Sequence, residues 1–458
     1  MAVTPPPPSW LAEPGQLDEL AARLLGLAEE HVWRLPVPAP VAEQARRAGR
    51  LVIIDPEGAT AGYLHPDRPG SAHAQPGGDP TLRGPGADTP AGDTMVELSG
   101  RVEPSGDSGY GIGRALWRSP AELADELGGR AGVVAVTDRP LVRADLDVLH
   151  EAGAAHPAAM VIVVTTAHRG TRLVAPEATL AAVTTSARSL GATARVVPAP
   201  VAGGSATLRA GLADRYGAVL DAPVRLDLAS TPGDDWVDEL AARLDRGDPV
   251  GDLVDPGAAA ILRRARPPLH RRGVVVLLSG LSGSGKSTIA RVVRSRILTT
   301  TERTVTLLDG DVVRRLLSAG LGFSRADREL NLARIGFVAA EAARHGGIAL
   351  CAPIAPYASS RARMRQLALD AGADFLLVWV ATPLDECERR DRKGLYARAR
   401  AGEIDNFTGI SDPFEPPTDA DLVLDTTDRT PEQAAEAVLG LMRDRGYLAH
   451  GGGLGRPR

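Results

Sequence analysis

The stretch Val274–Thr288, which reads VVVLLSGLSGSGKST, decides the fold of the C-terminal half of the chain. It opens with VVVLLS, an apolar run of strand length, and a helical pattern begins at Thr288. The intervening residues follow the pattern GxxxxGKS, in which glycines let successive backbone N–H groups turn towards phosphate oxygens. The stretch therefore predicts a strand, a phosphate-binding loop and a helix whose N-terminus faces an anion.

The side chains of this loop predict that ATP and Mg²⁺ bind there. Lys286 would reach the β- and γ-phosphates as a compact point charge, and Ser287 would ligate Mg²⁺. The predicted ATP-binding residues are the loop and the start of its helix: Gly280, Leu281, Ser282, Gly283, Ser284, Gly285, Lys286, Ser287 and Thr288.

Two carboxylates follow the next predicted strand. Val305–Leu308 is apolar and is followed by Asp309-Gly-Asp311. Carboxylates at the C-terminal end of a strand beside a phosphate loop hold Mg²⁺ or accept a substrate proton. We predict Lys286, Asp309 and Asp311 as catalytic residues, with Asp309 near Mg²⁺ and Asp311 orienting or deprotonating an attacking hydroxyl. A simple Asp-Gly turn is the alternative interpretation.

Composition narrows the class of protein. The 458 residues are enough for about two to four domains. A net charge of −5 argues against a nucleic-acid or membrane-surface binder, and no apolar run reaches the ~18 residues that cross a bilayer. With only two cysteines, a disulfide framework is excluded and a reducing, cytoplasmic location is expected.

Lysine usage is unusual. Lys286 and Lys393 are the only lysines among 52 basic residues. Because arginine replaces lysine elsewhere, these two positions are expected where a compact ammonium does what a guanidinium cannot.

The order of predicted elements indicates an α/β protein in two parts. A C-terminal phosphate-loop kinase domain, with a parallel sheet flanked by helices, is preceded by a second α/β domain in which MVIVVT at 160–165 is the clearest strand. The predicted organisation is a disordered Pro-rich tail at 1–16, a region at 17–255 with a flexible loop at 66–92, a basic linker at 256–272, the kinase domain at 273–449 and a tail at 450–458.

Further motifs lie downstream of Asp311 in a fixed order. They are LGFSRADR at 321–328, NLAR at 331–334, IAPY at 354–357, RRDRKGLYARAR at 389–400 and FTGI at 407–410. Together with the phosphate loop, they resemble the adenylylsulfate (APS) kinase family over about 175 residues. The KGLYxxARAGEI–FTGI segment is far more specific than the loop, which many kinases share.

The resemblance implies transfer of the ATP γ-phosphoryl group to the 3′-hydroxyl of APS, giving PAPS for sulfate assimilation. Phe323 and Phe407 would stack on the two faces of the adenine. The APS-binding residues that it implies are Asp311, Arg314, Phe323, Arg328, Asn331, Ile354, Ala355, Lys393 and Phe407. Ala355 stands where the family usually has serine, so a phosphoserine intermediate at that position is excluded.

The segment 385–412 is interpreted as a lid that closes over the phosphates. Its arginines are Arg389, Arg390, Arg398 and Arg400, for which a solvated helix face is the alternative. By contrast, Phe337 and Phe375 are predicted to be core residues, because they lie within apolar helix and strand patterns.

The N-terminal region resembles a degenerate ATP sulfurylase. VVAVTDRPLVRAD at 133–145 is similar to that family's VVAFQTRNPxHRAH, but Val142 and Asp145 replace both histidines. Valine cannot donate a hydrogen bond and aspartate repels phosphate, so we predict an inactive domain. It would dock an ATP sulfurylase subunit, regulate the kinase or assist folding. His168-Arg169 is its one conspicuous polar pair, and an ordinary loop is the alternative there.

Three other functions stay open at this point. They are a bifunctional sulfate adenylyltransferase and APS kinase, another phosphate-loop kinase of a small molecule, and a nucleotide-binding regulatory protein. The family resemblance also suggests a homodimer, whereas nucleic acid and membrane are not expected as partners.

Overall fold

The computed structural model describes residues 7–27, 32–67, 94–105, 111–166, 173–191, 193–201, 206–230, 235–391 and 393–449. The chain divides into two compact units, one comprising 1–244 with 248–265 and the other comprising 245–247 with 266–458. Within the described residues, no helix combines the length and apolar character needed to span a membrane.

The first unit begins with a mixed five-stranded sheet. Its strands lie in the order β1-β3-β4-β5-β2. The elements are β1 (Ser9–Leu11), α1 (Pro14–Leu24), β2 (Val32–Pro38), α2 (Ala39–Ala48), β3 (Leu51–Ile54), β4 (Thr60–Pro66) and β5 (Met95–Pro104). The predicted disorder at 1–16 is wrong for residues 9–16, because β1 pairs in parallel with β3 and the N-terminal Pro14 opens α1. Most of the predicted loop at 66–92 lies outside the described residues.

A parallel four-stranded sheet completes the first unit. The order is β8-β7-β6-β9, so the predicted α/β domain is confirmed. Its strands are β6 (Ala131–Thr137), β7 (Ala159–Thr165), β8 (Ala194–Ala199) and β9 (Asp221–Asp227). The helices are α3 (Pro120–Leu127), α4 (Arg143–Ala155), α5 (Pro176–Ser186), α6 (Ala206–Gly217), α7 (Asp235–Arg246) and α8 (Pro256–Ala265).

Helix α8 corrects the predicted linker at 256–272. Residues 256–265 are helical because Ala258, Ala259 and Leu262 form one apolar face, which is buried. The arginines that suggested a solvated linker lie in its last turn and beyond it. Arg272 is itself buried, and its guanidinium pairs with Asp245 and Asp374 of the second unit.

The second unit is a five-stranded parallel sheet between helices. The strand order is β11-β12-β10-β13-β14. Its strands are β10 (Val274–Ser279), β11 (Val305–Asp309), β12 (Ile348–Ala352), β13 (Asp374–Val380) and β14 (Leu422–Leu424). The helices are α9 (Lys286–Thr300), α10 (Gly310–Leu316), α11 (Arg325–Arg344), α12 (Ala358–Asp370), α13 (Leu384–Arg390), α14 (Leu395–Arg400) and α15 (Pro431–Asp444).

Strand β10 shows why this sheet is covered on both faces. Val274, Val276 and Leu278 pack in the core that includes α9 and α15. Val275 and Leu277 pack in the opposite core, with α11 and α12. A central strand buried on both faces reads as a continuous apolar run, as VVVLLS does. Since all strands are parallel, their C-terminal ends meet at one edge, where ligands bind in such sheets.

The two phenylalanines that are predicted to be core residues differ in their exposure to solvent. Phe375 on β13 is buried, as predicted, whereas Phe337 on α11 is 60% exposed. The buried face of α11 runs through Asn331, Ile335 and Ala339, and Phe337 lies outside it. The core prediction for Phe337 is therefore wrong, because an apolar residue between buried helix positions does not itself mark the buried face.

Candidate functional site

The loop after β10 has the backbone that a phosphate-binding loop requires. Gly280 and Gly283 have φ angles of 155° and 75°. A Cβ atom at Gly280 would lie 2.4 Å from the Val380 carbonyl oxygen, and one at Gly283 would lie 3.0 Å from the Cys387 carbonyl oxygen. Glycine is needed at both positions because neighbouring backbone approaches the loop closely.

Lys286 is the first residue of α9 and lies inside the loop. It is 6% exposed, and its Nζ donates to the Leu281 carbonyl oxygen at 2.6 Å and to Ser284 Oγ at 3.2 Å. Burial lowers the pKa of Lys286 to about 8, and the nearby Asp309 and Asp311 carboxylates oppose part of that effect. Both hydrogen-bond partners are uncharged, so neither of them neutralises the positive charge with which the ammonium would attract an anion.

Two threonines that the sequence analysis missed hold the loop from outside. Thr382 Oγ1 and Thr426 Oγ1 donate to the Ser284 carbonyl oxygen at 3.2 and 3.0 Å. Arg390 donates from Nη1 to Thr426 Oγ1 and from Nη2 to the Thr426 carbonyl oxygen, both at 2.8 Å. The threonines follow β13 and β14, and polar residues just after parallel strands were the available signal.

Asp309 is both a helix cap and a candidate metal neighbour. Its Oδ1 accepts from the Asp311 backbone N–H at 3.3 Å at the start of α10, and its Oδ2 pairs with Arg291 Nη2 at 2.9 Å. Asp309 is buried, whereas the Asp311 side chain is exposed and pairs with Lys393 Nζ. The structure thus brings together Asp311 and Lys393, which are 82 positions apart in sequence.

The oxygens near the loop fit Mg²⁺ that is carried largely by nucleotide phosphates. Ser287 lies in the first turn of α9, and Asp309 ends the neighbouring β11. Among the described residues, no cluster of three or more histidine, cysteine, aspartate or glutamate side chains could hold a metal ion. Mg²⁺ commonly binds through one or two protein oxygens together with substrate phosphates and water, which is what this donor set offers.

Phe323 is 58% exposed, and arginines hold it in place. The Arg314 guanidinium carbon lies 4.3 Å from the Phe323 ring centroid, and its Nη1 donates to the Gly322 carbonyl oxygen at 2.9 Å. Arg328 donates from Nε to the Phe323 carbonyl oxygen at 3.0 Å. Arg314 is therefore a stacking partner of this ring in the structure.

Arg328 also reaches the loop that carries Phe407. Its Nη1 contacts Thr408 Oγ1 and pairs with Asp412 Oδ2 at 2.8 Å, and Tyr357 donates to the same carboxylate oxygen at 2.8 Å. Arg328 therefore braces the two segments that carry the predicted adenine-stacking rings. Its predicted role as a direct APS ligand stays a prediction.

Asn331 and the segment 354–355 complete the acceptor side. Asn331 is 6% exposed, and its Oδ1 has no hydrogen-bond partner among the described residues. Ser279 Oγ lies 3.0 Å from the Ile354 carbonyl oxygen and 3.2 Å from that of Ala355. Ala355 has a φ of 50°, a left-handed conformation that is costly for a non-glycine residue. These carbonyls are therefore fixed against the base of the phosphate loop.

The four predicted lid arginines pair with carboxylates of the same segment. Arg389 Nε and Arg390 Nε both lie 2.6 Å from Glu386 carboxylate oxygens. The remaining two pairs are Arg398 with Glu403 at 3.1 Å and Arg400 with Glu388 at 2.6 Å. The guanidinium groups of Arg389 and Arg390 lower the pKa of Glu386 to about 2. Contact of these arginines with phosphates remains a prediction.

In the first unit, the positions that replace the sulfurylase histidines are buried. Asp145 is 1% exposed, and its carboxylate pairs with Arg139 Nη1 at 2.6 Å and Nη2 at 3.3 Å. The Arg139 guanidinium carbon lies 4.3 Å from the Trp236 ring centroid. Val142 is also buried, and its N–H donates to Asp145 Oδ2 at 2.9 Å. His168-Arg169 lies outside the described residues.

Comparisons with known proteins identify a family model, curated relatives and a solved structure that are similar to this chain. Residues 272–425 match the family model "Adenylylsulphate kinase". Sulfate adenylyltransferase of Neosartorya fischeri is 43% identical over 211 residues, and that of Phaeosphaeria nodorum 44%. Each match covers 46% of this chain and 37% of the relative's length. The hexameric APS kinase from Thiobacillus denitrificans has a TM-score of 0.62 at 24% identity, over 96% of this chain and 94% of its own, and therefore shares the fold.

Proposed function

We propose that the adenylylsulphate kinase domain at 272–425 transfers the γ-phosphoryl group of ATP to the 3′-hydroxyl of APS. The 3′-oxygen attacks the γ-phosphorus, the bond from that phosphorus to the β–γ bridging oxygen breaks, and the products are PAPS and ADP. The hydroxyl proton passes to Asp311 and then to solvent. PAPS formation places the enzyme in sulfate activation, and two buried free cysteines support a cytoplasmic location.

The observation that carries this proposal is the pair of lysines at one sheet edge. Lys286 lies at the end of the loop after β10, and Lys393 pairs with Asp311, which follows β11 at the same C-terminal edge of the sheet. This arrangement supports a role for one ammonium at the ATP phosphates and for the other at the acceptor and its base. A chain that uses arginine for nearly all its cations keeps lysine at these two positions.

The loop and Lys286 supply electrostatic stabilisation of the transferred group. Backbone N–H groups at the α9 N-terminus and the buried ammonium face the charge that develops on the phosphoryl oxygens. When bound with ATP, Mg²⁺ neutralises phosphate charge, and Ser287 and Asp309 are the residues that would hold it. Asp311 orients the attacking hydroxyl once Lys393 turns towards the anionic acceptor.

The acceptor is recognised by its base and its anionic groups. Phe323 and Phe407 stack on the adenine. Two observations support this role: the Phe323 ring is exposed, and Arg328 bonds to both segments that carry the rings. Asn331 offers an unpartnered buried oxygen to a donor on the acceptor. Arg314 balances the phosphosulfate charge.

A direct assay tests the proposal. Full-length protein with ATP, Mg²⁺ and APS is expected to form PAPS and ADP in equal amounts. Lys286→Ala is expected to lower the rate of this formation by about 10²–10³-fold, and Lys286→Arg, which keeps the charge, to recover little of it. Transfer to another small hydroxyl compound, with none to APS, would show a different phosphate-loop kinase.

The relatives named sulfate adenylyltransferase favour a second candidate, a bifunctional enzyme that also makes APS from ATP and sulfate. The buried Arg139–Asp145 pair argues against it, because the carboxylate neutralises the arginine and repels phosphate. We propose that the first unit is an inactive sulfurylase-like domain that regulates the kinase or docks a sulfurylase subunit. Pyrophosphate release from ATP and sulfate measures this directly.

We also propose that the chain self-associates, at least as a homodimer. The Thiobacillus denitrificans protein that shares the fold is described as hexameric. Light scattering of the full chain gives the mass, and a monomer at micromolar concentration would contradict the proposal.

A further inference from the structure

Tyr396 connects the phosphate loop with the loop that carries Phe407. It lies in the first turn of α14 and is 2% exposed. The Asp391 carboxylate accepts from the backbone N–H groups of Leu395 and Tyr396 at 2.8 and 2.9 Å, so this end of the helix is firmly capped. The position of the Tyr396 backbone is therefore set by its own helix.

The hydroxyl of Tyr396 holds one peptide of the phosphate loop. It donates to the Ser282 carbonyl oxygen at 2.8 Å. A trans peptide is planar, so its carbonyl and the following N–H point in opposite directions. By holding this carbonyl, Tyr396 sets the direction in which the Gly283 N–H points.

The ring of Tyr396 contacts the acceptor side. Its centroid lies 5.0 Å from that of Phe407, with an interplanar angle of 79°, which is the edge-to-face arrangement that aromatic pairs favour. The two loops also meet at Gly409, where a Cβ atom would lie 3.1 Å from a Leu281 methyl carbon. This apolar packing is non-directional, whereas the Tyr396 hydrogen bond fixes the orientation of a peptide group.

We propose that Tyr396 is a positioning residue that couples the two substrate sites. Stacking of the acceptor base on Phe407 fixes the Tyr396 ring, and its hydroxyl then holds the phosphate loop in its binding conformation. Coupling between two sites is reciprocal, so nucleotide in the loop strengthens acceptor binding by the same factor. This inference rests on the proposed function, because it takes APS as the acceptor.

Binding of AMPPNP, an ATP analogue that is not hydrolysed, tests the coupling in the full-length protein by calorimetry. In the wild type, saturating APS is expected to lower the Kd of AMPPNP at least about fivefold. Tyr396→Phe removes only the hydroxyl, and is expected to reduce this factor to below about twofold while each ligand alone still binds. AMPPNP is expected to change the Kd of APS by matching factors in both proteins.

Tyr447→Phe provides the matched control. Tyr447 is buried in the same unit, where burial and the Asp374 carboxylate at the N-terminal start of β13, away from the candidate site, raise the pKa of its hydroxyl. This variant is expected to keep the wild-type coupling. Wild-type coupling in Tyr396→Phe, or none in the wild type, would overturn the inference and leave the proposed function standing. Failure of the wild type to bind APS would overturn both.

Discussion

Each of the two units contains a parallel sheet, and the two sheets differ in the partner of a buried cation at the C-terminal edge. In the second unit, the Lys286 ammonium bonds to a carbonyl and a hydroxyl oxygen. In the first unit, the Arg139 guanidinium is paired with the buried Asp145 carboxylate. The two edges therefore differ in whether a buried cation has a fixed counter-charge, and we expect phosphate to bind only where it has none.

Breaking the buried pair of the first unit is expected to have the largest effect on stability. Asp145→Ala removes the carboxylate that pairs with the buried Arg139 guanidinium, and is expected to cost about 3–5 kcal/mol of unfolding free energy. Denaturant unfolding of the full chain measures this cost. An Arg139→Met/Asp145→Leu double variant, which removes both charges, is expected to recover most of it. A near-neutral Asp145→Ala would mean that the pair is not what neutralises this edge.

Removing the cation of the second unit is expected to act on activity instead. Lys286→Ala is expected to lower kcat/KM for PAPS formation by about 10²–10³-fold, the scale on which one buried donor to a developing charge acts. Lys286→Arg tests whether the compact ammonium matters, and Lys393→Arg repeats the test at the exposed lysine. Full activity in Lys286→Ala would contradict the assigned role of the loop.

The aromatic part of the acceptor site is expected to contribute less. Phe407→Leu keeps an apolar side chain and removes the stacking face, which is worth about 1–3 kcal/mol per base. The KM for APS is expected to rise, with little change in the KM for ATP. Phe337→Leu, an exposed aromatic on α11, is the control and is expected to leave both values unchanged.

The smallest expected effect is on pH dependence. Because burial lowers the pKa of Lys286 to about 8, the free protein binds this proton fully at pH 7 and loses it as pH rises through 8. Nucleotide phosphates favour the charged form, so the Kd for AMPPNP is expected to rise about tenfold from pH 7 to pH 9. Calorimetry in buffers of different ionisation enthalpy measures the accompanying proton uptake, and Lys286→Arg is expected to remove both effects.

The sequence predicted the parts of the site that depend on local pattern. The run VVVLLS, the glycines and Lys286 follow one another within a single short stretch, so the sequence alone predicts the strand, the loop and the helix. The sequence also predicts the Asp309–Asp311 turn. It does not distinguish the role of Asp309 as the cap of α10 from a metal-binding role.

Contacts between distant segments could not be predicted. The pairing of Lys393 with Asp311 and the reach of Arg328 to Asp412 join positions more than 80 residues apart. An arginine in a motif was expected to bind substrate, and only the fold shows that Arg328 braces two backbone segments. The predicted linker failed for a related reason, because a helix with one apolar face looks basic when its buried alanines are not recognised.

We propose that the C-terminal sheet edge of the second unit is catalytic and that of the first unit is not. The most direct test measures two reactions with one preparation of full-length protein: PAPS formation from ATP and APS, and pyrophosphate release from ATP and sulfate. We expect turnover in the first reaction that falls by about 10²–10³-fold in Lys286→Ala, and no enzyme-dependent release in the second. Sustained pyrophosphate release, or PAPS formation that is undiminished in Lys286→Ala, would contradict this expectation.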